Sequence, residues 1–369
     1  MTTDPLPLAQ ALLRCPSVTP ADAGAQEALA GALHDIGFEV WRLPFGTTAN
    51  LFARRGTAGP HLCFAGHTDV VPPGPGWTRD PFAAIVADGL LFGRGACDMK
   101  GAIAAFAAAA AEHSTGPGSL SLLITGDEEG PATDGTVRVL GWMADRGHIP
   151  DLCVVGEPTG ARRLGDAMRI GRRGSLVARI AVHGRQGHSA YARGTENAIH
   201  RLVAALAAMT AAPLDGGSEW FEPSVLQVVD LEVGNPATNV VPATARATVN
   251  IRFNDRHSGG SITAWLKAVL DRAAPEHTLD VSISGESFLT KPGTLVLAVR
   301  DAIGRATGEV PRLDTVGGTS DARFISRYCP VCEFGLVGDT MHQVDEAVPV
   351  RSLAVLRDAY VGIMEAVGC

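Results

Sequence analysis

The stretch Ser119–Gly130, SLSLLITGDEEG, ends an apolar run on three consecutive acids, Asp127, Glu128 and Glu129. Neighbouring carboxylates repel one another, so acids placed where a strand gives way to a loop need something to balance their charge. Related residues follow other apolar runs. His67 and Asp69 come after HLCFAG, and Asp98 stands in GRGACDMKG just before an Ala-rich segment. Glu157 follows DLCVVG in GEPTG, and His342 lies in DTMHQVDE after VCEFGLVG. Two imidazoles and a surplus of carboxylates, brought to the carboxyl ends of neighbouring strands, make a site for a cation.

Each residue alone has a simpler use. A histidine after a strand commonly serves a turn, an Asp-Glu-Glu run is usually a solvated loop, and Asp98 could cap the helix that follows it. Glu157-Pro158 could simply end a strand. Their joint placement is what points to metal. A donor set of His and Asp/Glu without thiolate suits zinc, manganese or cobalt. Five ligands exceed what one catalytic zinc takes, whereas two ions sharing a carboxylate would use them all. Adjacent residues on an extended turn point different ways. One of Glu128 and Glu129 can therefore bind metal while the other acts as general base.

Two other features carry less. GRGACD lacks the third glycine and the following acid of a dinucleotide fingerprint. ARRLGDAMRIGRRG holds five arginines on an acidic chain, which suits an anionic substrate better than nucleic acid.

The elements that must position these residues read as an α/β pattern. LAQALLRC, AQEALAGALHDIG (ended by Gly37) and GAIAAFAAAAAEH are predicted helices. HLCFAG, SLSLLIT and DLCVVG are predicted strands, their apolar character indicating a sheet covered on both faces. From about Gly174 the order becomes strand, helix, strand, strand, helix, strand, the split β-α-β arrangement. The α/β pattern resumes after about Glu286, with a helix over GTLVLAVRDAIGRATG and a strand over VCEFGLVG. The reading is thus a discontinuous first domain, 1–173 and 286–369, with a second domain, 174–285, inserted into it.

The totals agree. A chain of 369 residues with 46% hydrophobic residues can bury two cores, and a net charge of -8 argues against a nucleic-acid binder. No apolar run is long enough to span a membrane, and the start reads as no secretory leader. Seven cysteines without framework spacing fit reduced thiols and predict a cytoplasmic protein. Cys329 and Cys332 read as two ordinary strand cysteines.

GHTDVVPPG, LFGRGACDMKG, ITGDEEG, VGEPTGARRLGD, GHSAY, SGESFLTKPG and MHQVDE together resemble the co-catalytic metallo-aminoacylase and carboxypeptidase family over nearly the whole chain. GRRGS and GGTSD point to the branch that hydrolyses N-succinyl-L,L-2,6-diaminopimelate to succinate and L,L-2,6-diaminopimelate. The nearest alternative is a related deacylase acting on acetylornithine or another N-acyl amino acid. The resemblance implies a di-zinc aminopeptidase-like catalytic domain with an inserted ferredoxin-like (βαββαβ) dimerisation and lid domain. It implies two Zn2+ per chain, with Co2+ able to substitute. His67 and Glu157 match the ligands of one ion, Glu129 and His342 those of the other, and Asp98 the shared carboxylate. Glu128 matches the general base and Asp69 the acid that orients His67. Arg172, Ser175, His188, Tyr191, Asn239, Arg252, Gly318 and Thr319 match substrate contacts. The resemblance also implies a homodimer formed through the lid, in which His188 reaches the partner's site. The chain departs from the family's usual residues at Arg169, Thr238 and Gly338.

Overall fold

The computed structural model describes residues 3–113, 116–191 and 195–369. The chain divides into two compact units. The first comprises Met1–Gly171, Thr290–Asp314 and Ser320–Cys369; the second comprises Arg172–Leu289 and Thr315–Thr319. The expected joins at 173/174 and 285/286 differ from these by a few residues, and Thr315–Thr319 groups with the second unit.

The first unit is built on an eight-stranded sheet. Its centre runs Ser119–Thr125, His61–His67, Leu152–Val155 and Val331–Glu333 in adjacent, parallel order. Asn50–Arg55 and Glu39–Arg42 extend it antiparallel on one side. Every residue of Ser119–Thr125, His61–His67 and Leu152–Val155 is buried, so both faces are covered there. His67 lies opposite Thr125 and Ala65 opposite Val155. The three strands therefore stop at neighbouring points, and the residues that follow them emerge side by side at the carboxyl end of the sheet.

The Ala-rich segment forms the helix Gly101–Glu112, buried continuously from Gly101 to Ala110. Its bulk comes from Phe106, which stacks on Phe64 with ring centroids 4.5 Å apart. Tyr360 meets both rings edge-on at 5.6 Å and donates its hydroxyl to the Phe334 carbonyl at 2.8 Å. Tyr360 belongs to the helix Val350–Val367. The predicted strand over VCEFGLVG is shorter than expected, Val331–Glu333, because the Phe334 to Leu336 backbone turns to bond Val155 and Thr159. Of the two cysteines read as strand residues, Cys332 is on that strand and Cys329 precedes it. All seven cysteines are free thiols.

A small three-stranded sheet, Ala347–Pro349, Leu90–Phe92 and Ile85–Ala87, bears directly on the site. It pairs the chain just after His342 with the chain just before Asp98.

The second unit has the expected order: Gly174–His183, Ala198–Thr210, Val225–Glu232, Thr244–Phe253, Gly259–Ala273 and His277–Gly285. Its antiparallel sheet places Thr244–Phe253 and Gly174–His183 at the centre, with Val225–Glu232 and His277–Gly285 at the edges. Alternate residues such as Leu176, Ala178, Ile180 and Val182 point into one core against Leu202 and Leu266 of the helices. Asn197 caps the first helix through the amides of Ile199 and His200, and Ser258 with Ser261 forms a capping box on the second. No helix among the described residues is long and apolar enough to cross a membrane.

Truncating the ring at the centre of the first core tests this packing. Phe106→Ala should destabilise the protein by about 3–5 kcal/mol, the usual loss for a buried phenylalanine. Urea denaturation reads it directly. A loss below about 1 kcal/mol would show that this cluster is not a tightly packed core.

Candidate metal centre

Asp98 sits in an irregular turn just before the Ala-rich helix, which takes no side-chain cap, so Asp98 is not held there as a capping residue. Its carboxylate is 6% exposed and lies between two imidazoles. Oδ1 is 3.2 Å from His67 Nε2, and Oδ2 is 3.2 Å from His342 Nε2. Glu157 Oε1 lies 3.8 Å from His67 Nε2, and Glu129 Oε1 lies 2.9 Å from His342 Nε2. The donor atoms of His67, Asp98 and Glu157 fall within 4.8 Å of one another, as do those of Asp98, Glu129 and His342. These are two three-residue groups that share Asp98. His67, Glu128 and Glu129 form a third such group.

The electrostatics follow from the crowding. Burial resists a charge on His67, but the hydrogen bond and charge of Asp98, with Asp69 and Glu128 nearby, drive its pKa well above the usual imidazole value. Hydrogen bonds to Asp98 and Glu129 raise His342 to about 10. Burial would raise the Asp98 pKa, yet its bonds to His342 and His67 hold it well below the carboxylate range. Burial and then the charge of Glu157 push Glu128 well up, and burial raises Asp69 to about 6. Positive charge on the two imidazoles would balance the acids. Divalent cations between the same atoms would supply that positive charge and release the protons. The donors fit two such ions.

The three acids of ITGDEEG separate cleanly. Asp127 accepts the amides of Thr133 and Asp134 at 2.8 and 3.0 Å and so ties down its own loop. Asp69 holds the other two. Its carboxylate accepts the Glu128 and Glu129 amides at 3.3 and 3.0 Å. His67 Nδ1 lies 2.9 Å from the Asp69 carbonyl and 3.6 Å from its carboxylate, so the Asp69 main chain makes the shorter contact to the ring. Glu128 is half-buried and free to face the cluster.

One buried acid of this region went unread in the sequence. Glu346 is 0% exposed, bonds Arg94, and accepts the amides of Gly95, Cys97 and Asp98. The only signal for it was its place in MHQVDE, four residues after His342.

The eight residues expected to contact substrate all belong to the second unit. Arg172 is buried and donates to the Gly318 carbonyl at 3.0 Å, with Thr319 next in the chain. Ser175 and Arg252 are register partners on adjacent strands. The His188 and Tyr191 rings are 5.4 Å apart, and the Ser189 amide donates to the Asn239 carbonyl at 2.9 Å. Three sub-clusters therefore form within this unit.

The pattern of Peptidase family M20/M25/M40 matches residues 63–366. The succinyl-diaminopimelate desuccinylase of Gluconobacter oxydans is 57% identical, covering 99% of this chain and 98% of the relative. That of Granulibacter bethesdensis is 59% identical, covering 98% of each. Among solved structures, aminopeptidase PepT from Bacillus cereus superposes with a TM-score of 0.81 at 20% identity, over 99% of this chain and 98% of that one. A dinuclear metal binding peptidase of the M20 family from Bacillus subtilis does so at 0.75 and 14%, over 99% and 98%.

Metal stoichiometry tests the shared carboxylate. Elemental analysis after gel filtration should find two zinc ions per parent chain. His67→Ala and His342→Ala should each lower occupancy at one position, whereas Asp98→Ala should lower it at both. Full double occupancy in Asp98→Ala would exclude Asp98 as the shared ligand.

Proposed function

The chain belongs to Peptidase family M20/M25/M40, and from that premise we propose that it hydrolyses N-succinyl-L,L-2,6-diaminopimelate to succinate and L,L-2,6-diaminopimelate, a step of lysine and meso-diaminopimelate biosynthesis. The observation that carries the chemistry is the Asp98 carboxylate with one oxygen toward each of two imidazoles. Full-length relatives at 57–59% identity support the substrate.

Zinc is the metal the donors suit best, with Co2+ able to replace it. Bound there, it supplies polarisation of the amide oxygen and acidification of a water near neutral pH. His67 and Glu157 hold one ion, Glu129 and His342 the other, and Asp98 both. Asp69 keeps the Glu128–Glu129 turn beside His67 through its two amide bonds. Glu128 takes the proton of the attacking water and passes it to the leaving amine. A carboxylate raised by burial beside Glu157 holds a proton more readily than one in water, which suits that relay.

The substrate carries several carboxylates, and Arg172 and Arg252 pair with them, the planar guanidinium fixing orientation as well as charge. Ser175, Tyr191, Asn239, Gly318 and Thr319 complete the contacts. The second unit, 174–285 by sequence, is the lid and dimerisation domain. Val229 and Leu231 are each 59% exposed on its edge strand, and Val203 is 56% exposed on the helix Ala198–Thr210. An open apolar sheet edge of this kind supports a two-fold homodimer. His188, itself exposed, serves the oxyanion in the partner's site.

Glu128→Gln should retain both metal ions and lose roughly 10²–10⁴ in kcat, the usual contribution of a general base. Glu129→Gln should lose metal as well. Equal metal loss in the two variants, measured by calorimetry, would reverse the division of labour. A substrate panel with added zinc separates the desuccinylase reading from its nearest rival: succinyl-diaminopimelate should turn over well ahead of acetylornithine. The lid reading is tested by mixing Glu128→Gln chains with His188→Ala chains, each inactive alone. Partial return of activity upholds a shared site; none, with subunit exchange shown by mass spectrometry, assigns His188 to its own chain or to no catalytic role.

A further inference from the structure

His342 and Asp98 are 244 residues apart in sequence, and neither lies on a strand or an α-helix. His342 is at φ 61° and Asp345 at φ 55°, the left-handed region that side chains rarely adopt, so this turn persists only where its surroundings fix it. Asp98 sits in a turn with non-helical dihedrals. Both turns are fixed from one place. Glu346 Oε1 accepts the Cys97 amide at 2.9 Å and the Asp98 amide at 3.3 Å, while Oε2 accepts the Gly95 amide at 3.1 Å and Arg94 Nη1 at 2.7 Å. Arg94 Nη2 then reaches the His342 carbonyl at 3.4 Å and the Pro73 carbonyl at 3.3 Å. The pair is sealed from solvent, with Arg94 2% and Glu346 0% exposed.

We infer that Glu346, paired with Arg94, is a positioning residue that sets the distance between Asp98 and His342 and hence the affinity of the metal centre. Glu346 touches no donor atom of the cluster. It acts through the Asp98 amide on one side and, by way of Arg94, through the His342 carbonyl on the other. A buried carboxylate suits this task because its oxygens only accept, and every recorded partner is a donor. The inference rests on the metal reading above. It goes beyond it by assigning zinc affinity to a buried ion pair outside the ligand set.

The test measures zinc affinity by chelator competition, together with zinc content, thermal stability, and kcat and KM at saturating zinc. Glu346→Gln keeps the shape but turns one acceptor into a donor facing other donors. It should weaken zinc binding roughly ten- to hundred-fold, the usual range for residues that orient metal ligands. Saturating zinc should restore kcat to within a few-fold of the parent with KM unchanged. Glu346→Asp, which keeps the acceptor, should regain part of the affinity. Leu33→Ala, in the buried face of the Ala25–Asp35 helix, should lower thermal stability without moving zinc affinity. Should Glu346→Gln fail to fold, Arg94→Lys carries the test: it keeps the charge beside Glu346, loses the fork to His342, and should weaken zinc binding in the same direction. Folded variants with parental zinc affinity would overturn the inference, as would a loss of affinity no larger than Leu33→Ala produces. Absence of zinc binding in the parent chain would instead overturn the metal reading itself.

Discussion

The rest of the structure depends on one carboxylate held between two imidazoles. Asp98 presents an oxygen to His67 and an oxygen to His342, each at 3.2 Å, with Glu157 and Glu129 approaching the same ring nitrogens at 3.8 and 2.9 Å. Such crowding of acids is unfavourable unless positive charge occupies the space between them. The fold must therefore bring five side chains from five segments to one point and keep them there. The central strands do most of this. They run parallel, stop at neighbouring points, and deliver His67, Glu129 and Glu157 from adjacent ends. Burial of both sheet faces makes that delivery rigid. Asp98 and His342 come from outside the strands and need the small sheet Ala347–Pro349, Leu90–Phe92 and Ile85–Ala87 to join their segments.

All five candidate ligands were legible in the sequence, but what holds Asp98 and His342 in place was not. Candidate ligands that follow apolar strands are the easiest to propose, because the strand pattern gives their position and the residue type gives their chemistry. His67, Glu129 and Glu157 are of this kind, and the αβ order of both units was visible for the same reason. Asp127 was not separable from its neighbours, because its role is to accept two amides of its own loop, and a carboxylate that binds backbone leaves no pattern. Glu346 was hidden for a stronger reason. Its acceptors face amides some 250 positions away, and any residue but proline between Gly95 and Asp98 offers such an amide whatever its side chain. The strand over VCEFGLVG was read too long because Phe334 and Leu336 are buried like strand residues, though the ladder ends with the Phe334 amide bonding Val155 and the Leu336 carbonyl accepts the Thr159 amide.

The candidate roles divide between the two units. All seven residues of the metal and base set lie in the first, and all eight candidate substrate contacts lie in the second. Charge explains why they differ in construction. The first unit concentrates acids and must brace them with main-chain donors, as Asp69 does for the Glu128–Glu129 turn. The second offers guanidinium and hydroxyl groups from strands and loops, where Arg172 is buried while His188, Tyr191 and Asn239 stand exposed.

The departure at Arg169 shows how far this separation extends. By resemblance its place borders the substrate segment GRRGS, and a lysine there would be a compact point charge on a flexible stem. Here the guanidinium Nη1 donates to the Pro158 carbonyl at 2.8 Å, and Nε lies 3.9 Å from Asp314. All three residues belong to the first unit. Pro158 follows Glu157 directly, so the arginine fork braces the turn that carries a candidate ligand. Part of the Arg169 side chain therefore supports the turn that presents the candidate ligand Glu157.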